Sequence, residues 1–362
     1  MTSFVFETIA ASDALAFSAA DSLSITTADA TGARATVLYG ANDQITLVMG
    51  ERSMVFGAGV YGETVTFANG SVLYVGGPSA EAATGTAFGD GIFGGQGSDT
   101  LSGGDGGDLL HGNQGADLLM AGLGADTVYG GQGDDNIDVG VGSNFAHGNL
   151  GNDTVSAAGS VDGNILLGGQ GDDVVIGGDG ADIEVGNLGN DTLGGGAGDD
   201  VISGEGGADI MTGGAGADRF VFAAGASDAN THLVDRIDDW SPGDIIDASP
   251  AAASYYEVMP VTTYSYASYS YMPGAPFTYD TALAAANGVM GGMDGPVIVT
   301  AQVGADVVVF IDAGGPDGMA DLAVVLTGCS LADIDTANFV GGVAWSPPPT
   351  NMYDPGGMYG YV

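Results

Sequence analysis

Between residues 86 and 221 an apolar side chain recurs every ninth position, two residues after a fixed polar marker. The apolar series is Ile92, Leu101, Leu110, Leu119, Val128, Ile137, Val155, Leu166, Val175, Leu193, Ile202, Met211 and Phe220; Ala146 is a small exception and Glu184 a charged one. The markers run Asp90, Asp99, Asp108, Asp117, Asp126 and Asp135, pass through Asn144 to Asp153, slip by two residues to Asn164, and resume at Asp173, Asp182, Asp191, Asp200, Asp209 and Asp218. That makes fifteen units, thirteen with Asp and two with Asn. A Gly/Asp-rich linker has no reason to keep a period of nine, so the period marks a repeat architecture. Each unit reads as a six-residue turn followed by a three-residue strand whose middle side chain faces inward. Two units then make one coil, and stacked coils give two parallel sheets whose strands rise about 4.8 Å per layer.

Side chains flanking each inward residue must point outward. One sheet then presents Phe93, Leu109, His111, Tyr129, Phe145, His147, Ile165, Leu167, Ile183, Val185 and Val201, while the other presents Thr100, Ser102, Leu118, Met120, Asn136, Asp138 and Thr154 among others. The first face is the more apolar, and a patch of that size implies a cover: the N-terminal domain, another protomer, or other parts of the chain. His111 and His147 fall on it, read as one coil layer apart, and suit an interface pair better than a transition-metal site. His232 lies in a loop and carries no signal.

Residues 1–85 hold alternating stretches at Ala35–Tyr39, Gln44–Met49 and Glu63–Phe67, separated by turn signals at Gly40–Asp43 and Ala68–Gly70, and predict a small β domain. Ala10–Ala20 suits a short helix. After the repeats, residues 222–344 predict a β capping region. Strands are expected around Val234–Asp247 and over Asp306–Asp312 to Leu326, with a Tyr-rich insertion at 253–280. Asp235, Asp238, Asp244 and Asp247 in this region either hold a further ion or are solvated turn acids. Residues 345–362 form a tail with one acid, Asp354.

Composition sharpens the chemistry. The 362 residues include 67 Gly and 46 Asp or Glu against four basic residues, for a formal charge of −42. All four are arginines (Arg34, Arg52, Arg219 and Arg236). Nucleic acid is therefore excluded as a partner by like-charge repulsion. With 45% hydrophobic content and a strict acid spacing, the acids read as cation ligands rather than as solubilisers of a disordered chain. Glycine lets six residues curl with carbonyls pointing in, Asp adds a hard charged oxygen, and Ca2+ takes six to eight such oxygens at roughly 2.3–2.6 Å. One apolar side chain per strand is too thin a core to offset chain entropy, so the ion must supply the difference. Cys329 has no partner for a disulfide. No apolar run approaches a membrane span. Met1–Ala20 has neither a basic n-region nor an apolar h-region, so export is expected by a route that does not read the N-terminus.

Units such as Gly94-Gly95-Gln96-Gly97-Ser98-Asp99-Thr100-Leu101-Ser102 and Gly130-Gly131-Gln132-Gly133-Asp134-Asp135-Asn136-Ile137-Asp138 resemble the GGxGxDxUx signature of the RTX, or hemolysin-type, calcium-binding repeat family. The resemblance implies an all-β parallel β-roll over 86–221, with Ca2+ held between successive same-side turns by carboxylates and backbone carbonyls. The implied ligands are Asp90, Asp99, Asp108, Asp117, Asp126, Asp135, Asp153, Asp173, Asp182, Asp191, Asp200, Asp209 and Asp218. They are flanked in the turns by Gly95, Gly97, Gly104, Gly106, Gly131, Gly133, Gly169, Gly171, Gly178, Gly180, Gly196, Gly198, Gly214 and Gly216. Asn144 and Asn164, consecutive on one side, bring oxygen without charge and should leave two or three weak or empty positions, so the full set would hold on the order of ten ions. The region after Asp218 resembles the closing segment of serralysin-type RTX proteins. The resemblance also implies bacterial type I secretion through an exporter that reads the C-terminal tail.

RTX arrays are carriers, so the role must come from the rest of the chain. A pore-forming toxin needs acylated lysines, a protease of this kind HExxH, and a lipase a GxSxG elbow ahead of the array; none is present. The expected role is a secreted structural protein that folds on extracellular calcium. It would assemble with copies of itself or with a cell-surface component, as a surface layer, filament, adhesin or matrix. The alternative is a secreted soluble enzyme or effector with an unrecognised active site.

Overall fold

The structure is a computed structural model that describes residues 3–11, 14, 16, 22–26, 32–39, 44–49, 51–222, 234–248, 264–265, 278–290, 297–312, 319–334 and 338–340. The chain is all-β, with a parallel β-solenoid of about eight turns over residues 73–220 and flanking strands. It divides into two compact units that meet between Gly169 and Gln170, so the boundary falls inside the repeats.

In the first unit the alternating N-terminal stretches form the expected strands. Thr36–Tyr39, Ile45–Met49 and Arg52–Phe56 make an antiparallel three-stranded sheet. Glu63–Phe67 pairs antiparallel with Val72–Val75, which pairs in parallel with the first repeat strand, Gly91–Gln96, in the register Leu73↔Gly91 and Tyr74↔Ile92. On the other sheet, Ala82–Thr84 pairs with Thr100–Asp105. Coiling thus begins ahead of the first nonapeptide, because the edge of the roll needs a strand on each sheet to occupy its free N–H and C=O groups. Phe6, Val37, Leu47, Phe56, Val65, Leu73 and Phe93 share one hydrophobic core, with Leu109 packed against it. Of the helix expected over Ala10–Ala20, Ala11 and Ala14 are helical and the Ala14 N–H bonds the Ala10 carbonyl at 3.0 Å; most of the rest lies outside the described residues.

Strands of alternate units pair in parallel, eighteen residues apart: Leu109–Gln114 with Thr127–Gln132 on one sheet, Leu118–Leu123 with Asn136–Asp138 on the other. Every position two after a marker, from Ile92 to Phe220, is fully buried, including Ala146 and Glu184. The apolar outer face is covered in part: Leu109, Phe145, His147, Ile165, Ile183 and Val201 are half-buried. Phe93, His111, Tyr129, Leu167 and Val185 are buried, and the Phe93, His111, Tyr129 and Phe145 rings follow one another at centroid spacings of 6.1, 5.5 and 5.8 Å. Phe93 and Leu109 pack on the N-terminal core, one of the covers expected from sequence. The register corrects one expectation: His111 pairs with Tyr129 and Tyr129 with His147, so the two histidines stand two coils apart with a tyrosine between them.

In the second unit, Asp235–Ile237 pairs in parallel with Ile210–Ala215, and Ile245–Asp247 with Arg219–Val221. Val297–Val303, Asp306–Asp312 and Leu322–Leu326 form an antiparallel sheet whose last strand joins Asp235–Ile237 in parallel. Tyr279–Met290 is a helix, an element not expected from sequence; its Ala282 and Ala286 sit in a core with Val299, Val308 and Phe310. The alanine-rich run behind Asp280, an acid well placed in a first turn, was its signal. The rest of the Tyr-rich insertion and the tail 345–362 lie outside the described residues, apart from residues 264–265 and 278–280 of the insertion. Among the described residues no helix is long and apolar enough to cross a membrane.

Candidate metal centre

The markers stack into two rows, one along each edge of the roll. In each row the Oδ1 of one marker accepts the backbone N–H of the residue one coil earlier. The first unit holds Glu81→Asp99, Asp99→Asp117, Asp117→Asp135 and Asp135→Asp153 at 2.7–2.8 Å. Its second row runs Val72→Asp90, Asp90→Asp108, Asp108→Asp126, Asp126→Asn144 and Asn144→Asn164. The second unit repeats both, with Asp173→Asp191→Asp209 and Asp182→Asp200→Asp218. The rows then continue past the repeats: Asp235 accepts from Asp209, and Asp244 from Asp218, at 3.0 and 3.1 Å. Asp235 and Asp244 are therefore marker equivalents, and Ile237 and Ile246, two positions on, are buried like the repeat residues. That two-residue offset was the signal in the sequence. The other two capping acids do something else: Asp247 pairs with Arg219, and Asp238 with Arg236.

The second carboxylate oxygen is the chemically informative atom. Oδ2 of Asp99, Asp108, Asp117, Asp126, Asp135, Asp191, Asp200, Asp209 and Asp218 is buried without a hydrogen-bond partner. A buried, unpartnered carboxylate oxygen is costly, and here the cost recurs at nine markers. The turn is shaped around this atom. A Cβ added at Gly112 would lie 2.2 Å from Asp117 Oδ2 and 2.5 Å from the Gly130 carbonyl oxygen. Gly94, Gly103, Gly130, Gly195 and Gly213 stand in the same relation to their own markers. This glycine, five residues before the marker, is a site residue the sequence reading passed over. The glycines it did name, other than Gly178 and Gly180, are placed by backbone conformation instead: Gly95 and Gly97, four and two before Asp99, have φ of 101° and 105°. At the first of those positions Asn113, Asn149, Asn187 and Glu205 take the same left-handed conformation, which asparagine tolerates best among residues with a side chain.

Burial pushes up the carboxyls of Asp99, Asp108, Asp135, Asp153, Asp191 and Asp200, opposed by the backbone N–H each accepts and helped by neighbouring carboxylates. Asp99, Asp108 and Asp191 rise to about 7, Asp135 to about 8, and Asp153 and Asp200 to about 6. Orphaned hard oxygens, turn carbonyls at close range and unrelieved negative potential together fit a divalent cation of the calcium kind.

The asparagine turns differ in one atom. Asn144 and Asn164 keep the Oδ1 bond, but each Nδ2 donates to its own turn, to the Gly142 carbonyl at 3.0 Å and the Asp162 carbonyl at 2.7 Å. The amide thus occupies a turn carbonyl itself and leaves no orphaned oxygen.

A parallel β-roll whose edges carry rows of inward carboxylates is a cation-binding repeat solenoid. Residues 84–119, 93–128, 111–146, 129–162, 159–193 and 185–220 match the RTX calcium-binding nonapeptide repeat, so the segment 84–220 is built of RTX-type repeats. RTX repeats bind Ca2+. Among solved structures the chain is similar to a subunit of the Azotobacter vinelandii mannuronan C5-epimerase, at 20% identity over 56% of this chain and 89% of that one, with a TM-score of 0.28. It is also similar to the extracellular lipase LipA of Serratia marcescens, at 18% identity over 69% of this chain and 40% of that one, with a TM-score of 0.27. Comparison with curated proteins gives no match.

Proposed function

We propose that the chain is a secreted structural protein whose roll folds when the Oδ2 atoms of the marker aspartates and the turn carbonyls take up extracellular Ca2+. The observation that carries this reading is the double row of buried Oδ2 atoms without partners, in a chain with 46 acids and four basic residues. Where calcium is scarce, as inside a bacterial cell, the array repels itself and stays unfolded, in the form a type I exporter threads. Outside, calcium at roughly 10⁻³ M matches the affinity of extracellular calcium modules, and binding free energy becomes folding free energy. About ten ions fit the thirteen Asp markers once the Asn144 and Asn164 positions are set aside.

The folded roll is proposed to serve a non-catalytic role, assembling with its own copies or with a cell-surface component as a surface layer, filament, adhesin or matrix. Support comes from the absence in the sequence of the motifs for the family's familiar activities. Circular dichroism with calcium and with a chelator tests the folding step: strand content unchanged by the chelator refutes it. Electron microscopy of the calcium-loaded protein tests assembly, with ordered sheets or filaments expected; monodisperse monomers at high concentration refute it.

A further inference from the structure

Glu184 occupies the inward position of its unit, where neighbouring units place Val175, Leu193 and Ile202. Its side chain is fully buried, and neither Oε1 nor Oε2 has a hydrogen-bond partner. An ionised carboxylate cannot be left so at modest cost, and Glu is long enough to reach from the interior to the roll's edge. It does so here: a Cβ built on Gly177 would lie 2.4 Å from Glu184 Oε1, 2.8 Å from Asp182 Oδ2 and 2.2 Å from the Gly195 carbonyl oxygen. These oxygens therefore converge on one small volume beside Gly177. Asp182, Glu184 and Asp200 each offer a carboxylate oxygen there, all within 4.8 Å of one another. The Asp200 Oδ2 is also without a partner, whereas Asp182 is held in place, its Oδ2 accepting the Gly178 N–H at 2.6 Å and its own N–H bonding Asp200 at 2.8 Å.

We propose that Asp182, Glu184 and Asp200, with the Gly195 carbonyl, form a tricarboxylate site for one Ca2+, bound more tightly than any ion held by marker aspartates alone. The added charge raises affinity, since calcium sites are tuned by the number of charged ligands. Dry walls favour Ca2+ over Mg2+, which keeps several of its waters. The site also explains why a charged residue persists at an interior position: the ion neutralises what the roll buries. This inference rests on the calcium reading of the rows, and the experiment separates the two.

Wild type, Glu184→Leu and Glu184→Gln are folded in calcium, dialysed against buffers of decreasing free calcium, and analysed for bound calcium by atomic emission. Leucine restores the residue type of neighbouring units, so the Leu variant is expected to fold, and Gln mimics a protonated, uncharged Glu184. Wild type should retain one ion that both variants release at free calcium on the order of tenfold higher, and Mg2+ should not replace it. If wild type binds no calcium, the row reading itself fails. If wild type loads the array and both variants keep the same last ion at the same free calcium, Glu184 is a buried neutral acid and the tricarboxylate site is overturned.

Discussion

Acid should substitute in part for calcium. Asp99, Asp108, Asp135, Asp153, Asp191 and Asp200 have folded-state values of about 6 to 8 against an ordinary 3.8. A carboxyl whose folded value is raised favours folding fully only below 3.8, and loses that advantage as pH climbs through its folded value. For a group moved to about 7, holding the ionised form in the fold costs on the order of 4 kcal/mol at pH 8; at pH 5 the cost falls to about 1.5 kcal/mol. Neighbours in a row share part of their repulsion, so the six contributions do not simply add, but even two or three of them are a sizeable fraction of the net stability of a typical domain. With a chelator present, far-UV circular dichroism should show little strand at pH 8 and a rising strand signal as pH falls through 7 and 6. At pH 5 the chain is still above its pI of about 4.1, so residual negative charge keeps it in solution. A chain that folds with calcium at pH 8 but gains no strand at pH 5 without it would show that carboxylate ionisation is not what holds the calcium-free roll apart.

Five substitutions probe the roll more locally. Gly112→Ala drives a methyl into Asp117 Oδ2 and the Gly130 carbonyl, and should cost about 2 kcal/mol or more and weaken calcium binding. Gly194→Ala, whose nearest contact would be 3.6 Å away, should be neutral or slightly stabilising; equal effects in denaturant titrations with calcium would contradict the cradle. Leu119→Ala empties a fully buried interior position and should cost about 2–4 kcal/mol in the same titration, against less than about 0.5 kcal/mol for its 39% exposed neighbour in Leu118→Ala. Asn144→Asp exchanges the amide bond to the Gly142 carbonyl for an orphaned oxygen. Calorimetry should then count more calcium per chain, while the calcium-free state loses about 1 kcal/mol; an unchanged count would mean that the asparagine does not interrupt its row.

The nine-residue period by itself determined the inside of the roll, because each unit sets its own turn and strand locally. Every residue two positions past a marker is buried, and alternate units share a sheet. The same locality made Asn144 and Asn164 legible as neighbours on one edge and Glu184 as a misfit. What tertiary structure decided lies between units. The 26-residue steps from Asp209 to Asp235 and from Asp218 to Asp244 break the period, so only the stacked coils reveal those acids as continuations of the rows. The glycine five before most markers (Ala121 takes its place before Asp126) matters because its own marker's Oδ2 and, at several turns, a carbonyl one coil away close on it, contacts a linear pattern does not display. Cover over the Phe93 end of the apolar face came from N-terminal residues such as Phe6 and Val37, which lie outside the repeat pattern. Nor could periodicity show where the Glu184 carboxylate goes once buried. Its meeting with Asp182 and Asp200 depends on a side chain turning from the core to the edge, and that choice belongs to packing.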